Sequence, residues 1–169
     1  GREHGQKADQ LPGYRKIDDP AAREHVAGVW GIDPERIPGP GVPAVELLHR
    51  LGQPDGPRAM FVHGSNLLVS APNARLVRER LSALDLLVVA DVVPSETALL
   101  ADVILPVTQW AEESGTMTNL EGRVLRRRKA IQPPAGVRDE LQVIAELAHL
   151  LAEGQDLGAG FSADSGEVL

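Results

Sequence analysis

Three short apolar runs, separated by segments of helical character, place the strongest constraint on the fold of this chain. The runs are AMFVHGSN, LDLLVVAD and VILPV. Short, nearly continuous apolar runs are typical of strands that are buried on both faces of a parallel sheet. Between the first two runs, Pro72 to Leu84 places leucines and a valine on one side of a helix and arginines on the other. The order βαβαβ predicts an α/β fold, a Rossmann-like parallel sheet with flanking helices.

Further elements surround this predicted sheet. Pro20 to Trp30 predicts a helix with proline at its first position, and Ala44 to Leu51 predicts a second, shorter one. The stretch SETALLAD predicts a short helix capped by Ser95. After Trp110 the pattern predicts an irregular hairpin and then an amphipathic helix. The side of that last helix that is predicted to be buried contains Leu141, Ile144, Leu147 and Leu151.

The composition along the chain predicts three segments. Residues 1–19, rich in glycine, proline and charge, predict an extended N-terminal segment without regular elements. Residues 20–153 predict one α/β domain, which agrees with the usual size of a domain built on a single core. Residues 154–169 predict a flexible tail. Because the chain begins at Gly1 and no element begins there, we interpret it as a piece of a longer protein.

Composition excludes several classes of function. The formal net charge of −7 argues against nucleic-acid binding, because phosphate backbones require a basic surface. The chain has no cysteine, so it cannot carry a disulfide, a thiolate nucleophile or a cysteine-ligated metal cluster. No apolar run approaches the roughly 20 residues that cross a bilayer. We therefore expect an acidic protein with no nucleic-acid partner and no membrane partner.

The carboxyl ends of the predicted strands form the candidate site. In parallel sheets, ligands bind where the loops after the strands present free backbone N–H groups. These loops are His63 to Asn66, Ala90 to Thr97, and Pro106 to Glu113. The small Gly64 would let a phosphate or ribose approach the main chain, and Asp91 would accept hydrogen bonds from a ribose hydroxyl or a guanine N–H. The alternative is that these residues only turn the chain, and spacing alone favours that alternative.

Other polar groups have structural interpretations. For Thr97 and Asp102 we expect a bracing role through backbone groups. The adjacent carboxylates Glu112 and Glu113 predict a solvated acidic patch rather than an acid and base pair. The basic run Arg126 to Lys129 predicts a solvated hairpin strand or an interface with an acidic domain. The histidines lack metal-ligand spacing and the serines lack a hydrolase elbow, so the sequence predicts neither a metal site nor a catalytic residue.

One stretch closely resembles the signature of a known family. The stretch TALLADVILPVTQWAEESGTMTNLEGRV matches T-A-x-x-A-D-x-x-L-P followed by W-x-E-x-x-G-T-x-x-N-x-E-G-R, the pattern of molybdopterin oxidoreductases that carry a bis(molybdopterin guanine dinucleotide) cofactor. The segment GREHGQKADQLPGYR is similar to the corresponding part of bacterial assimilatory nitrate reductases. The matching residues of the signature are Thr97, Ala98, Ala101, Asp102, Leu105, Pro106, Trp110, Glu112, Gly115, Thr116, Asn119, Glu121, Gly122 and Arg123.

The resemblance implies a role for this chain as an inner α/β domain of a much longer molybdoenzyme. Such a domain holds the nucleotide end of one molybdopterin guanine dinucleotide, whereas the molybdenum and an iron–sulfur cluster belong to the full enzyme. Two departures from the family concern loop contacts, since many relatives have Lys at the position of Glu113 and Asn-Pro where this chain has Asn66-Leu67. The residues that the resemblance implies as cofactor contacts are Ser65, Asn66, Ala90, Asp91, Thr97, Glu113 and Asp139.

The function that the resemblance implies is cofactor binding within a molybdenum-dependent nitrate reductase, which reduces nitrate to nitrite in nitrate assimilation. Because the cofactor carries the chemistry, we expect the chain alone to be inactive. Its expected partners are the remaining domains of the enzyme, in the cytoplasm. The alternative within the family is the same domain of a formate dehydrogenase or another oxyanion reductase. The alternative from another class is a stand-alone nucleotide-binding or protein-interaction module.

Overall fold

The computed structural model of this chain describes residues 9–151. None of the helices in that range is long and apolar enough to cross a membrane. The helices are α1 (Pro20–Trp30), α2 (Ala44–Arg50), α3 (Leu67–Ser70), α4 (Ala74–Leu81) and α5 (Glu140–Leu151), with single 3-10 turns at Pro34–Arg36 and Ala98–Leu100. The strands are β1 (Gln10–Leu11), β2 (Arg15–Lys16), β3 (Ala59–His63), β4 (Leu86–Asp91), β5 (Val103–Pro106), β6 (Gly115–Thr118) and β7 (Val124–Arg127).

A three-stranded parallel sheet in the order β3-β4-β5 occupies the centre of the predicted α/β region. The register places Val62 beside Val89, and Val89 beside Ile104. The three strands are those that the apolar runs predicted, and α4 is the predicted crossover helix between the first two. The α/β fold class, with a parallel sheet and flanking helices, is therefore confirmed.

One face of the sheet carries the main hydrophobic core. Leu87 and Val89 of β4 pack there with Leu81 of α4 and Leu51 after α2, and none of these side chains is more than 2% exposed. Val62 of β3 and residues of α3 complete the cluster. Full burial of a side chain of this size contributes about 1.5–3 kcal/mol. The three helices α2, α3 and α4 thus hold the sheet from this side.

The other face of the sheet is largely open, which corrects the prediction that the strands are buried on both faces. Phe61, Leu86 and Val103 point to this face and are 38%, 41% and 42% exposed. Residues 9–151 cover only its carboxyl-end part, where Ala90 packs with Val107 and Val143. Continuous apolar runs require two covering layers, and the described residues supply one layer and part of a second.

The exposed side of α5 corrects a second prediction. Val143 and Ala145 are the buried residues of this helix. On the side predicted to be buried, Leu141 is half-buried, but the rest is open: Ile144 is 42%, Leu147 39% and Leu151 67% exposed. Periodicity identified an apolar stripe correctly, but no described residue covers it. The stripe thus adds to the apolar surface that this chain exposes.

The contacts of the chain divide into two compact units. The described part of one consists of residues 44–117 and 126–143, which include the parallel sheet. The described part of the other consists of residues 9–43, 118–125 and 144–151. The predicted boundaries at 19 and 153 stay a prediction, and residues 154–169 lie outside the described range.

The second unit contains regular structure where the sequence predicted none. β1 pairs antiparallel with β2, so residues 10–16 form a short hairpin where the sequence predicted an extended segment. Asp19 caps α1 by accepting from the backbone N–H of Ala21, and α1 ends at Gly31 in the left-handed conformation. The small core of this unit consists of Leu11, Ile17, Ala22, Val26, Ala27 and Ile37.

Candidate functional site

The loops after β3, β4 and β5 meet at the carboxyl end of the parallel sheet. The backbone N–H of Gly64 donates to the carbonyl of Ala90 (2.9 Å), and the N–H of Val107 donates to the carbonyl of Asp91 (3.2 Å). Gly64 has φ +57°, and no atom lies within 4 Å of where a Cβ would stand. The main chain at this turn is therefore open to an approaching ligand.

Asp91, the last residue of β4, uses both carboxylate oxygens to close its own loop. Oδ1 accepts from the backbone N–H of Val92 (2.8 Å), and Oδ2 accepts from the hydroxyl of Ser95 (2.7 Å). The Ser95 oxygen in turn accepts from the N–H of Ala98 (3.3 Å), the first residue of the 3-10 turn, but the N-cap position is Thr97 rather than the predicted Ser95. Since each carboxylate oxygen has two lone pairs, Asp91 can still accept one further bond at each oxygen.

Thr97 fixes the side-chain amide of Asn66. Thr97 is fully buried, and its oxygen accepts from the backbone N–H of Leu68 (3.2 Å). Its hydroxyl proton therefore goes to Oδ1 of Asn66 at 2.9 Å. The Asn66 nitrogen then points to Oε2 of Glu96, 2.5 Å away. Thr97 thus has no direct access to a ligand and acts on the site through Asn66.

Glu96 is a fully exposed carboxylate beside Asn66. The hydrogen bond from Asn66 lowers the pKa of the Glu96 carboxyl, and a bond from its own backbone N–H acts in the same direction. Glu96 therefore keeps its negative charge to more acidic pH than an ordinary glutamate.

Glu113 is held between two donors from its own unit. Its Oε1 accepts from Nη2 of Arg127 (2.8 Å), and its Oε2 accepts from the hydroxyl of Thr108 (3.0 Å). The Glu113 and Arg127 side chains are each 20% exposed. Nη1 of Arg127 is buried and has no hydrogen-bond partner among residues 9–151. Glu113 is therefore part of a half-buried ion pair rather than of a solvated acidic patch.

His63 and Glu140 connect the end of β3 with the first residue of α5. Nε2 of His63 lies 3.2 Å from Oε1 of Glu140, and the two side chains are 32% and 34% exposed. Burial raises the pKa of the Glu140 carboxyl; His63 opposes this, while the charges of Glu113 and Asp139 add to it. Glu140 therefore interacts with one imidazole and with two further carboxylates at this end of the sheet.

The remaining residues predicted to contact a cofactor take different positions at this edge. Ser65 and Asp139 are half-buried, and Asp139 caps the start of α5 by accepting from the N–H of Leu141 (2.9 Å). The Ala90 side chain is fully buried in the core beside Val107. Only its main chain faces the loops, so a ligand contact at Ala90 would have to be made through the backbone.

Asp102 has the bracing role that the sequence predicted. Its Oδ2 accepts from the backbone N–H of Leu87 (2.7 Å), and its own N–H donates to the Leu87 carbonyl (2.9 Å). This pair of bonds fixes the start of β5 against the start of β4. Asp102 therefore stabilises the sheet at the end opposite to the candidate site.

Sequence reasoning placed most of these residues at one edge but missed several of their partners. The missed residues are His63, Ser95, Glu96, Thr108, Arg127 and Glu140, which hold or face the predicted ones. His63, Ser95, Glu96 and Thr108 lie in loops already assigned to the edge, so their position was a usable signal. The pairing of Arg127 with Glu113 spans 14 residues and a hairpin, and no local pattern indicates it.

Comparisons with known proteins identify the family of this chain. The profile of the family described as molybdopterin oxidoreductase matches residues 37–150. The assimilatory nitrate reductase catalytic subunit of Bacillus subtilis is 46% identical over 154 residues, 91% of this chain and 22% of that protein. The F420-dependent formate dehydrogenase subunit alpha of Methanocaldococcus jannaschii is 37% identical over 144 residues, 85% of this chain and 20% of that protein.

A solved structure shares the fold of this chain. Acetylene hydratase from Pelobacter acetylenicus matches with a TM-score of 0.56 and 28% identity, covering 75% of this chain and 18% of that one. This chain spans about a fifth of the length of the curated relatives that it matches. Sequence signature, family profile and fold thus agree: the chain belongs to the molybdopterin oxidoreductase family.

Proposed function

We propose that this chain is part of a molybdenum-dependent nitrate reductase and holds the nucleotide end of a molybdopterin guanine dinucleotide. The observation that carries the choice of enzyme is the 46% identity to an assimilatory nitrate reductase catalytic subunit across 91% of the chain. The choice of ligand rests on the family, which implies a molybdopterin cofactor, and on the open loops at the carboxyl end of the sheet.

The residues at this edge fit the guanosine part of such a cofactor. Asp91 and Glu96 offer carboxylate oxygens, which accept hydrogen bonds from ribose hydroxyls and from guanine N–H groups. The main chain at Gly64 is open, which suits close approach of a ribose or a phosphate. The phosphates of the cofactor require a positively charged side chain at the same edge, and few side chains there can carry a positive charge.

Within the full enzyme, this chain would bind and orient the cofactor. The cofactor supplies the redox chemistry that converts nitrate to nitrite. Asn66 and Asp91 are held by Thr97 and Ser95, so their polar atoms are fixed before a ligand arrives. No described residue is placed to perform the reaction, and the chain alone is expected to give no turnover of nitrate.

The partners that we propose are the remaining domains of the longer enzyme. The open sheet face around Phe61, Leu86 and Val103 is apolar, and parallel sheets are covered by helices on both faces. A covering layer from those domains would complete the fold. We place the whole assembly in the cytoplasm, as an enzyme of nitrate assimilation.

A formate dehydrogenase is the second candidate, and the 37% identity to a formate dehydrogenase subunit favours it. The structural neighbour is named a hydratase, so relatives with different named reactions share this type of domain. The reaction is therefore set largely outside it. Reduction of nitrate, as opposed to oxidation of formate, by the full-length enzyme would decide between the two.

Titration of the 169-residue chain with GMP by calorimetry, beside AMP, tests the cofactor assignment. We expect saturable binding of GMP and weaker binding of AMP, and about a tenfold loss of GMP affinity in Asp91→Asn, because one acceptor becomes a donor. The matched control is Asp85→Asn, since Asp85 is an exposed partner of Arg58 at the other end of β4. Equal affinity for GMP and AMP, or no binding of either, would reject the assignment.

A further inference from the structure

The carboxyl end of the sheet has an excess of negative charge for a phosphate-bearing ligand. Phosphate groups need cations or N–H donors close by, because unscreened carboxylates repel them. The carboxylates at or beside this edge are Asp91, Glu96, Glu113, Asp139 and Glu140. Any cation at this edge therefore has a large effect on ligand affinity.

The cations around this edge differ in their availability. Arg127 donates Nη2 to Glu113, and its Nη1 is buried, so its guanidinium is directed into the protein. Arg138 joins the end of β5 through its backbone and has interactions of its own. His63 is the last residue of β3 and directly precedes Gly64, where the main chain is open. Its position is therefore the best suited to meet a phosphate at this turn.

Glu140 holds the His63 ring from one side only. Nε2 of His63 lies 3.2 Å from Oε1 of Glu140. Within residues 9–151, Nδ1 of the same ring has no hydrogen-bond partner. A carboxylate on one nitrogen orients the ring, and in a protonated imidazole both nitrogens are donors. Nδ1 is then a charged donor that another acceptor can use.

We propose that His63 binds a phosphate of the nucleotide through Nδ1, and that Glu140 is the positioning residue that orients its ring. The inference rests on the proposed function, since it deepens the same site. The arrangement alternates in charge: the Glu140 carboxylate, the imidazolium and the phosphate. Asp139 and Glu113 face Glu140 from the start of α5 and from the loop after β5, and Arg127 offsets Glu113.

Binding at His63 must depend on pH in a defined direction. A phosphate prefers the imidazolium over the neutral ring, so binding takes up a proton wherever the free ring is not fully protonated. Affinity therefore falls as pH rises through the range in which histidine titrates, about pH 5–8. Arg127 and Arg138 remain charged throughout that range and would give no such dependence.

Calorimetric titration of the 169-residue chain with GDP-mannose tests the proposal. This probe is a pyrophosphate diester, and it lacks the monoester ionisation near pH 6 that would confuse the result. We expect about tenfold tighter binding at about pH 6 than at about pH 8. Titrations in two buffers with different protonation enthalpies should show net proton uptake by the protein.

Four variants separate a ligand contact from a structural role. His63→Gln should lose the pH dependence and bind about tenfold more weakly at low pH. His63→Arg should bind at both pH values as tightly as the wild type does at the lower one, because arginine stays charged. Glu140→Gln should weaken binding by less than His63→Gln does, because the amide orients the ring less strongly than the carboxylate. His49→Gln, an exposed histidine of α2, is the control and should change nothing.

The outcomes that overturn the inference are distinct from those that overturn the proposed function. If GMP binds as expected but His63→Gln leaves GDP-mannose binding unchanged, only the role of His63 is rejected. Equal losses in His63→Gln and His63→Arg would indicate a structural role and reject the inference as well. If the wild-type chain binds neither GMP nor GDP-mannose, the proposed function and this inference are both rejected. Thermal melting curves of each variant show whether a loss of binding affinity is measured on folded protein.

Discussion

At the scale of single residues, burial beside His63 changes the acid–base behaviour of Glu140. Burial raises the pKa of the Glu140 carboxyl above its ordinary value of 4.5, with Glu113 and Asp139 adding to the shift. The folded state then holds this proton more tightly than the unfolded state, so the favourable contribution is complete below the ordinary pKa and is lost as pH rises through the raised one. Relative to Glu140→Gln, the wild-type chain should therefore lose free energy of unfolding as pH rises from the ordinary pKa of Glu140 through its raised pKa.

Urea unfolding of both proteins at a series of pH values from below 4.5 upward measures this effect. The difference in free energy of unfolding, wild type minus variant, should decrease as pH rises. A difference that stays constant or increases would contradict the burial of this carboxyl. Because Glu96 has a shift in the opposite direction, the comparison of the two proteins, rather than the wild-type curve alone, isolates Glu140.

The sequence could place residues at this edge but could not give their bonds. Asp91 was predicted as a ligand acceptor, and the structure shows both of its oxygens engaged by Val92 and Ser95 of the same loop. Glu113 was predicted to be solvated, yet it pairs with Arg127 across a hairpin. Such pairs depend on side-chain directions in three dimensions, whereas spacing along the chain only reports which loop a residue belongs to.

At the scale of elements, the crossover helix α4 is the element that most clearly holds the sheet. Leu81 is 2% exposed and packs in the cluster that contains Leu87 and Val89. Leu81→Ala should lower the free energy of unfolding by about 2–5 kcal/mol, through lost burial and the cavity left behind. Leu99→Ala is the control, because Leu99 is 70% exposed, and it should cost less than about 1 kcal/mol. Similar costs for both, measured by urea unfolding, would contradict the packing described.

Elements with a strong local pattern were predictable, and elements that depend on distant contacts were not. The runs of β3, β4 and β5 and the stripe of α4 are long enough to be read directly from the chain. The hairpin of β1 and β2 contains two residues in each strand, too few for an alternation to show. The exposed side of α5 was misassigned because periodicity identifies an apolar stripe without showing what covers it.

At the scale of the whole molecule, the second face of the parallel sheet remains uncovered within the described residues. Phe61, Val88 and Val103 form a row across the three strands on this face, and Leu86 lies beside it in β4. Contiguous exposed apolar surface of this kind marks interaction sites or causes aggregation. The sequence predicted strands with two covered faces, and the described residues supply only part of that cover.

Lysine substitutions on this face test its exposure in the isolated chain. Leu86→Lys and Val103→Lys place a charge at positions that are 41% and 42% exposed, where the long side chain can reach water. We expect lower binding of the dye ANS and less self-association in sedimentation, with a change in unfolding free energy of less than about 1 kcal/mol. Val29→Lys on α1, a residue that is 74% exposed, should leave all three measurements unchanged. Losses of about 2 kcal/mol or more in Leu86→Lys and Val103→Lys would mean that the face is covered in solution, and the covering layer would then have to come from this chain rather than from further domains.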